Sequence, residues 1–346
     1  AVNTGSGFLP PTPFGGSLDG LNSDVNANFG GGAYFTFGFC FVFGCIVFNP
    51  GADASTGVGR TELALRDVNG DGYTDHVRST GDDELVVAEN RTGRTNLLRT
   101  VTRPMGGRID LDYARDGNTY DQPESRWVLT RSALHDGHPG DGVDTRLTTF
   151  RYDDGRYDRF EREFYGYGTV VTEDRDAGNG DALYRSLISE YRTDSYPTRG
   201  LLAKQTTADA AGRRYSDVIN TYEPRDVATG APADLASPTA TVFPQLTRTE
   251  RNFYEGQATA GKSTSVEMAY DEYGNTVRTT DRADTGAADD LESSLSYSSA
   301  IPACRDRHIV GVGTALRETS GTGTVLRRRE ATVDCGTADV TRVRRY

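Results

Sequence analysis

The stretch SVEMAYDEYGNTVRTTDR (residues 265–282) decides the fold, because two alternating segments flank a short polar turn. The first segment alternates polar and apolar residues up to Tyr270, and the second alternates again after Gly274. This pattern predicts a β-hairpin that contributes one large aromatic side chain. Because a hairpin alone is barely stable in water, we expect several such units to pair into one long sheet.

The same pattern recurs along the chain, in RIDLDYARDG (108–117), TTFRYDDGRYD (148–158) and GTVVTEDRD (168–176). Tyrosines accompany the repeated segments at Tyr113, Tyr152, Tyr191, Tyr222, Tyr254, Tyr270 and Tyr297. Their spacing varies from 16 to 39 residues, which indicates a degenerate repeat rather than a strict solenoid.

Composition supports an all-β chain. Its 346 residues include 40 glycines, 18 tyrosines and 14 phenylalanines but only two methionines, and long runs of good helix formers are absent. We therefore predict an all-β fold whose main part is an extended antiparallel sheet made of stacked hairpins.

Charge and hydropathy exclude two classes of partner. The chain carries 38 Lys and Arg against 50 Asp and Glu, a net charge of −12, which argues against nucleic acid binding. No apolar run reaches membrane-spanning length, and AYFTFGFCFVFGCIVF (34–49) is interrupted by glycines. That segment predicts an apolar hairpin that turns near Gly44.

Three regions are predicted from these patterns. Residues 1–58 are a Gly- and aromatic-rich lead segment, loop-like over 1–33, with the apolar hairpin and then a small, polar linker over 50–60. Residues 59–95 form a small β unit, and residues 96–346 form the hairpin sheet. The chain lacks an initiator Met and a signal peptide, so we expect that it is processed or belongs to a longer polypeptide.

The nine residues DVNGDGYTD (67–75) predict a calcium loop, since calcium takes about six to eight oxygen ligands. The predicted ligands are the side chains of Asp67, Asn69, Asp71 and Asp75 and the backbone carbonyl of Tyr73. Arg78 stands where an EF-hand has its bidentate glutamate, so we expect a calcium-clasped hairpin between two strands. The alternative is an Asp/Asn/Gly turn without an ion, but three carboxylates in one loop would repel each other, which favours calcium.

Other polar segments have simpler interpretations. HDGHPGDGVDTR (135–146) contains two histidines three residues apart, but its Gly and Pro content favours an exposed loop over a metal site. RFEREFYGYGTVV (159–171) predicts a strand with alternating charges that passes into a glycine-relieved bend. No nucleophile elbow, HExxH helix or phosphate-binding loop is present, so we predict no enzymatic activity. An enzyme built on a β scaffold is kept as an alternative hypothesis, because carboxylates and aromatic residues are abundant.

The four cysteines fall into two local groups, Cys40 with Cys45 and Cys304 with Cys335. Neither group has zinc-ligand spacing. The even count and the grouping favour disulfides in an oxidising compartment over buried thiols, with the pairing left open.

Several of these stretches resemble one family. NLLRTVTRPMGGRIDLDYAR (96–115), FRYDDGRYDRFEREFYGYGTVV (150–171) and DSYPTRGLLAKQ (194–205) are similar to the middle region of SpvB/TcdB-like proteins, the B components of bacterial insecticidal toxin complexes, and their Rhs relatives. RTELALRDVNGDGYTDHV (60–77) resembles an FG-GAP/VCBS-like unit, and YDEYGNTVRTTD (270–281) resembles a YD repeat.

The resemblance implies a secreted bacterial protein whose YD-repeat sheet forms part of a shell around a toxin or effector. The implied partners are other segments or subunits of that shell, or identical copies that pair through sheet edges. The runner-up hypothesis is an extracellular YD-repeat adhesion or filament-forming surface protein.

Overall fold

In the computed structural model, the described residues are 23–34, 37–41, 44–48, 51–79, 83–91, 96–138, 140, 142, 144–237, 239–284 and 286–346, with side chains described over 26–30, 55–57 and, within those ranges, from 63 onward. The chain divides into two compact units. One unit is Ala1–Leu98 with Glu124–Arg126, and the other is Arg99–Pro123 with Trp127–Tyr346.

The first unit contains a four-stranded antiparallel sheet and a separate two-stranded hairpin. The four-stranded sheet has the order β1 (Ser23–Tyr34), β4 (Gly51–Arg66), β5 (Asp75–Arg78) and β6 (Val86–Ala88). The hairpin pairs β2 (Phe37–Phe41) with β3 (Gly44–Phe48), as the apolar pattern predicts.

Two sequence predictions for this unit are wrong. Part of the loop-like lead forms β1, and the predicted linker lies inside β4, which also crosses the predicted boundary at residue 58. Small residues pair closely here, for example Gly31 opposite Ala54 and Gly30 opposite Ser55. Strand pairing therefore overrides the weak β propensity of Gly and Ser.

The second unit is one sheet of fifteen strands in chain order. Its strands are β7 (Thr100–Thr102), β8 (Arg108–Asp116), β9 (Arg126–His135), β10 (Thr145–Asp158), β11 (Glu163–Asp176), β12 (Ala182–Tyr191), β13 (Leu202–Asp209), β14 (Arg214–Asp226), β15 (Val242–Phe253), β16 (Lys262–Tyr270), β17 (Thr276–Arg282), β18 (Leu291–Tyr297), β19 (Gly313–Ser320), β20 (Val325–Val333) and β21 (Val340–Arg345). The all-β prediction of a long antiparallel sheet is confirmed.

The hairpin predicted over residues 265–282 forms in the structure. Strands β16 and β17 pair across the turn 271–275, where Gly274 has a φ of +81°. The Asp271 carboxylate accepts hydrogen bonds from the backbone amides of Tyr273 (3.0 Å) and Asn275 (2.9 Å). Aspartate and glycine therefore fix the turn, and the turn fixes the register of the two strands.

The fifteen-stranded sheet has little apolar core. The buried apolar residues of this unit, among those described, are Ala133, Leu147, Tyr165, Val171, Ala208, Cys304 and Val333. The buried polar residues of this unit, among those described, are Gln122, Ser186, Ser189, Thr198, Thr206, Asp217, Asn252, Ser265, Thr280, Asp290 and Ser298. Most domains pack two layers around an apolar core, whereas this unit is a single layer whose strands contact mainly their neighbours.

Helical structure is minor. The described part of the chain contains one α-helix, α1 (Pro302–Arg305), and two short 3-10 segments, Tyr196–Thr198 and Ser298–Ala300. None of these described helices has the length and apolar character needed to cross a membrane.

Candidate functional site

The predicted calcium loop joins β4 to β5. Gly70 and Gly72 adopt positive φ values of 76° and 78°, which lets the chain turn tightly between the aspartates. The Asp67 carboxylate accepts a hydrogen bond from the Gly70 amide on one oxygen (2.8 Å) and from the Gly72 amide on the other (2.7 Å). Asp71 accepts one from the Tyr73 amide at 2.8 Å. The loop is thus folded around its own carboxylates.

Asp75 closes the loop from a fully buried position. One carboxylate oxygen accepts a hydrogen bond from the Val68 amide (2.9 Å), and the other accepts one from the Asn90 amide (2.8 Å). The Asn90 side chain also donates to the Thr74 carbonyl at 3.1 Å. Asp75 therefore fastens both the loop and the segment after β6.

These hydrogen bonds bear directly on the calcium prediction. Repulsion between the loop carboxylates favours a bound cation, but the backbone amides that donate to these carboxylates offset part of that repulsion. In the part of the chain that the structure describes, no three or more His, Cys, Asp or Glu side chains are grouped to hold a metal. The carboxylate, amide and carbonyl oxygens suit calcium in type, and each carboxylate oxygen keeps a second lone pair. Calcium stays a prediction for Asp67, Asn69, Asp71, Tyr73 and Asp75.

His135, in the polar segment 135–146, contacts side chains on the two strands beside its own, β8 and β10. One ring nitrogen of His135 contacts the Thr145 hydroxyl at 2.9 Å, and the other contacts Asp110 at 3.1 Å. Desolvation opposes ionisation of Asp110, but hydrogen bonds from Thr100 and Arg108 outweigh it and lower the pKa of this carboxyl. These contacts therefore have a structural explanation in cross-strand pairing.

The segment 159–171 differs from its prediction at its start. Residues 159–162 form the turn between β10 and β11 rather than a strand. The strand register shifts just beyond this turn, between Arg156 and Tyr157, where Gly166 adopts a φ of +106°. The glycine therefore allows a β-bulge that directs the neighbouring Tyr165 into a buried position.

The sheet contains a repeated tyrosine contact that links successive hairpins. The hydroxyl of Tyr222 donates to the Leu202 carbonyl at 3.1 Å. In the same way Tyr270 donates to the Leu246 carbonyl at 2.9 Å. Tyr297 repeats the contact on the next hairpin, with the Thr276 carbonyl at 2.9 Å.

Strand register connects these contacts into one line. Tyr191, Tyr222, Tyr270 and Tyr297 each lie directly beyond a register shift. For the first three, the partner across the strand pair is the residue whose carbonyl accepts a hydrogen bond from the next tyrosine. We call this line the tyrosine row, and its members in order across β12–β18 are Tyr191, Leu202, Tyr222, Leu246, Tyr270, Thr276 and Tyr297.

The tyrosine row satisfies backbone groups that the bulges disturb. A β-bulge interrupts the regular ladder, and each phenol supplies a donor at that level of the sheet. Burial raises the pKa of Tyr222, Tyr270 and Tyr297. Because the neutral phenol is the form favoured in the fold, this contribution to stability is present below the ordinary tyrosine pKa of about 10 and is lost as pH rises through the raised value.

Three of the tyrosines named from the sequence lie outside the row. Tyr152 packs against Tyr167 with ring centroids 5.0 Å apart. Tyr254 directly follows the last residue of β15, whereas the row crosses β15 near its start at Leu246. The Arg214 guanidinium lies 4.1 Å from the centroid of the Tyr254 ring. Tyr113 lies within β8. Tyrosine spacing alone therefore mixes row positions with other packing roles.

Replacing Tyr270 by phenylalanine is expected to lower the free energy of unfolding by about 1 kcal/mol, because the Leu246 carbonyl loses its phenol donor. Chemical denaturation followed by circular dichroism measures the change. Tyr184→Phe is the matched control, since this side chain is 70% exposed and should change stability by less than about 0.5 kcal/mol. Equal effects from the two variants would contradict a specific role for the row.

A disulfide closes the last part of the sheet. Cys304 in α1 bonds to Cys335 in the turn between β20 and β21, with their Cα atoms 4.6 Å apart. This result agrees with the predicted local grouping. Cys40 and Cys45 are opposite each other in the backbone register of β2 and β3, but their side chains lie outside the described residues.

Comparison with known proteins gives one family match over part of the chain. Residues 48–196 match the family model described as the middle/N-terminal region of the insecticide toxin TcdB. A search of curated proteins found no match. The predicted relations to SpvB, Rhs, YD-repeat and FG-GAP proteins stay predictions.

Solved structures share the fold at low sequence identity. A TcdB2-TccC3 structure without its hypervariable C-terminal region matches with a TM-score of 0.55 and 14% identity, over 80% of this chain and 19% of that chain. A Tc holotoxin pore from Photorhabdus luminescens matches with a TM-score of 0.56 and 13% identity, over 80% of this chain and 18% of that chain. The chain thus spans about a fifth of the length of these matches. Residues 48–196, somewhat less than half of the chain, are therefore similar to the TcdB middle/N-terminal region, and the chain shares its fold with the matched structures.

Proposed function

We propose that this chain forms part of the β-sheet shell of a Tc-type toxin component, and that the shell encloses or carries an effector polypeptide. The observation that carries the proposal is the single sheet of fifteen strands, which buries few apolar side chains of its own. A one-layer sheet of this kind suits a wall completed by further parts of the same assembly. The TcdB family match supports the same role.

The partners proposed for the segment are other shell segments and other toxin subunits. The matched structures contain TcdB2 together with TccC3, and the matched chain is about four times as long as this one. We also propose a secreted location, which the Cys304–Cys335 disulfide supports because such bonds persist in oxidising compartments.

Protease protection tests the shell role. In the complete toxin component that contains this segment, an enclosed effector is expected to survive a protease concentration that digests the isolated effector. Denaturing the component before digestion should remove the protection. An effector that is digested equally in both forms would contradict the enclosure. A regular homopolymer in native mass measurement would instead support the filament hypothesis.

The same proposal assigns no catalysis to this segment. Its conspicuous polar groups have structural partners, as His135 has in Thr145 and Asp110. Acidic residues of the turns likewise accept hydrogen bonds from their own backbone amides, as Asp271 does. Catalysis therefore belongs, in this proposal, to other parts of the toxin.

We further propose that the loop 67–75 binds one calcium ion that stiffens the hairpin between β4 and β5. A ligand that binds only the folded state stabilises by about 2.7 kcal/mol at one hundred times its Kd. Calcium is therefore expected to raise the Tm of the chain, and a chelator should reverse the increase. Asp71→Ala should abolish the increase, because it removes a carboxylate ligand at position five of the loop.

Asp83→Ala is the control for this experiment, since Asp83 is an exposed acidic residue of the same unit outside the loop. This variant should keep the calcium-dependent increase in Tm. A chain whose Tm does not respond to calcium would show that the backbone amides alone hold the loop.

A further inference from the structure

Tyrosines in the connections between strands make a recurrent contact with arginine. The second unit has four such tyrosines, one in each of the connections 117–125, 192–201, 254–261 and 271–275. Over three of the four rings lies an arginine guanidinium, with its central carbon 3.8 to 4.5 Å from the ring centroid. A cation over an aromatic face is attracted by the ring quadrupole. The three pairs are Arg159 with Tyr120, Arg199 with Tyr196 and Arg214 with Tyr254.

Two of these arginines also have a carboxylate partner. Arg199 pairs with Glu163 at 3.1 Å, and Arg214 pairs with the buried Asp217 at 3.3 Å. A planar guanidinium can stack on a ring and donate to a carboxylate at the same time, which a lysine ammonium does less well. The recurrent unit therefore consists of a tyrosine ring, an arginine and a carboxylate.

Tyr273 has the ring and the carboxylate of this unit without the arginine. It lies in the turn 271–275, and 37% of its surface is exposed. Desolvation of the phenol and then the charge of the adjacent Glu272 raise the pKa of Tyr273, and Arg305 of α1 opposes part of that shift through its charge. Within the described residues, no guanidinium lies over the Tyr273 ring and Glu272 makes no ion pair. The position therefore lacks only the stacked cation.

Tyr273 and Glu272 line a cleft of about 810 Å³ at one end of the strands. Its other walls are the end of β14 with the connection after it, the start of β15 and the end of β16. The rings of Phe243 and Tyr270 stand edge to face in these walls, with centroids 5.6 Å apart. The volume lies within the roughly 300 to 1,000 Å³ typical of ligand pockets. Because β14, β15 and β16 each pair with a neighbour on both sides, the cleft does not depend on either edge strand of the sheet.

The cleft carries an excess of negative charge. Its lining includes Arg225 and three acidic residues, which are Asp226, Asp271 and Glu272. Arg225 already forms an ion pair with Glu223 at 2.6 Å. Asp226 and Asp271 fix their own turns by accepting backbone hydrogen bonds, so Glu272 is the carboxylate available to a partner. Aromatic walls beside uncompensated carboxylates favour a cationic ligand.

We propose that this cleft binds an arginine side chain of another polypeptide segment, whose guanidinium stacks on the Tyr273 ring and pairs with Glu272. The contact would complete the unit that Tyr196 and Tyr254 form within the chain. The cleft volume also accommodates residues beside the arginine, which favours a peptide segment over a free small cation. The inference rests on the proposed shell function only in taking that segment to belong to the same toxin assembly.

Short peptides test the inference on the full chain. The probe is an acetylated and amidated pentapeptide with one central arginine between serine and glycine residues, and its control has citrulline, a neutral isostere of arginine, at the centre. Ligand-observed NMR should give the arginine peptide an affinity at least about fivefold higher than that of the citrulline peptide. A lysine peptide should bind more weakly than the arginine peptide. Raising the salt from about 50 mM to about 500 mM should weaken the binding, because exposed charges are screened.

Variants of the chain locate the binding. Glu272→Gln removes the carboxylate charge and Tyr273→Leu removes the ring, and each should lower the affinity for the arginine peptide at least about threefold. Glu255→Gln is the matched control, because Glu255 is an exposed acidic residue beside Tyr254, whose ring Arg214 already covers. This control should leave the affinity unchanged. All three substituted side chains are exposed, and circular dichroism checks that the variants retain the sheet.

Three results would overturn the inference. One is that no peptide binds, and another is that the arginine and citrulline peptides bind equally. The third is that Glu272→Gln and Glu255→Gln change the affinity by the same factor, since a general attraction to an acidic chain would then suffice. Because no effector is involved, failure here would leave the protease-protection result for the shell intact, and the reverse also holds.

Discussion

Replacing Cys304 and Cys335 together by alanine is expected to lower the free energy of unfolding of the second unit by about 3 to 4 kcal/mol. The disulfide spans 31 residues of sequence. In the chain-entropy account, freeing a loop of that size returns about 3.7 kcal/mol of conformational freedom to the unfolded chain. Denaturant titration followed by circular dichroism measures the difference.

Reductant provides the control for this variant. Adding dithiothreitol should destabilise the second unit of the wild-type chain by a similar amount and leave that unit of the double-alanine variant unchanged, since Cys40 and Cys45 belong to the first unit. The comparison separates the covalent link from the packing of the fully buried Cys304 side chain. A loss below about 1 kcal/mol in both cases would show that the hairpin β20–β21 is held by its strand pairing alone.

The position of the disulfide gives the loss a predicted location. The bond ties the connection between β18 and β19 to the turn between β20 and β21, so it fastens the last hairpin of the sheet. Amide hydrogen exchange should therefore accelerate most in β19–β21 after reduction. Such a result would show that the disulfide stabilises the last three strands in particular.

Turn chemistry is the part of the fold that the sequence predicts best. Asp209 and Asp226 each accept hydrogen bonds within the turn that follows their strand. The backbone amide of Arg213 lowers the pKa of Asp209, and the Thr229 hydroxyl lowers the pKa of Asp226. A lowered pKa means that this stabilisation is present above the ordinary aspartate pKa and is lost as pH falls through the lowered value. Aspartates such as these therefore stabilise the turns between strands.

Long-range features could not be predicted in the same way. The tyrosine hydroxyls donate to carbonyls 20 to 24 residues earlier in the chain. The connection between β14 and β15 alone covers residues 227–241, so the row is regular in strands and irregular in sequence. Strand β1 was missed because its pairing partner β4, rather than its own Gly-rich composition, makes it a strand. The pairing of Arg329 with Arg345 across β20 and β21 likewise depends on the strand register, which sequence order does not give.

Gly137→Ala is expected to cost at least about 3 kcal/mol, because two penalties combine at this position. Gly137 has a φ of +88°, a backbone conformation in which a non-glycine residue costs about 1 to 3 kcal/mol. An added Cβ would also lie 2.5 Å from the carbonyl carbon of Gly106 and 2.8 Å from the amide nitrogen of Gly107. Both atoms are backbone in the turn between β7 and β8, so no side chain can move to make room.

Gly140→Ala is the matched control in the same loop. Gly140 also has a positive φ, of +100°, but an added Cβ would meet nothing within 4 Å. Its cost should be about 1 kcal/mol, from the backbone term alone. Thermal unfolding of the two variants then isolates the close approach between residues 106–107 and 137. If the two variants were equally stable, that approach would not constrain the β7–β8 end of the sheet, and the first strands of the fifteen could separate there at little cost.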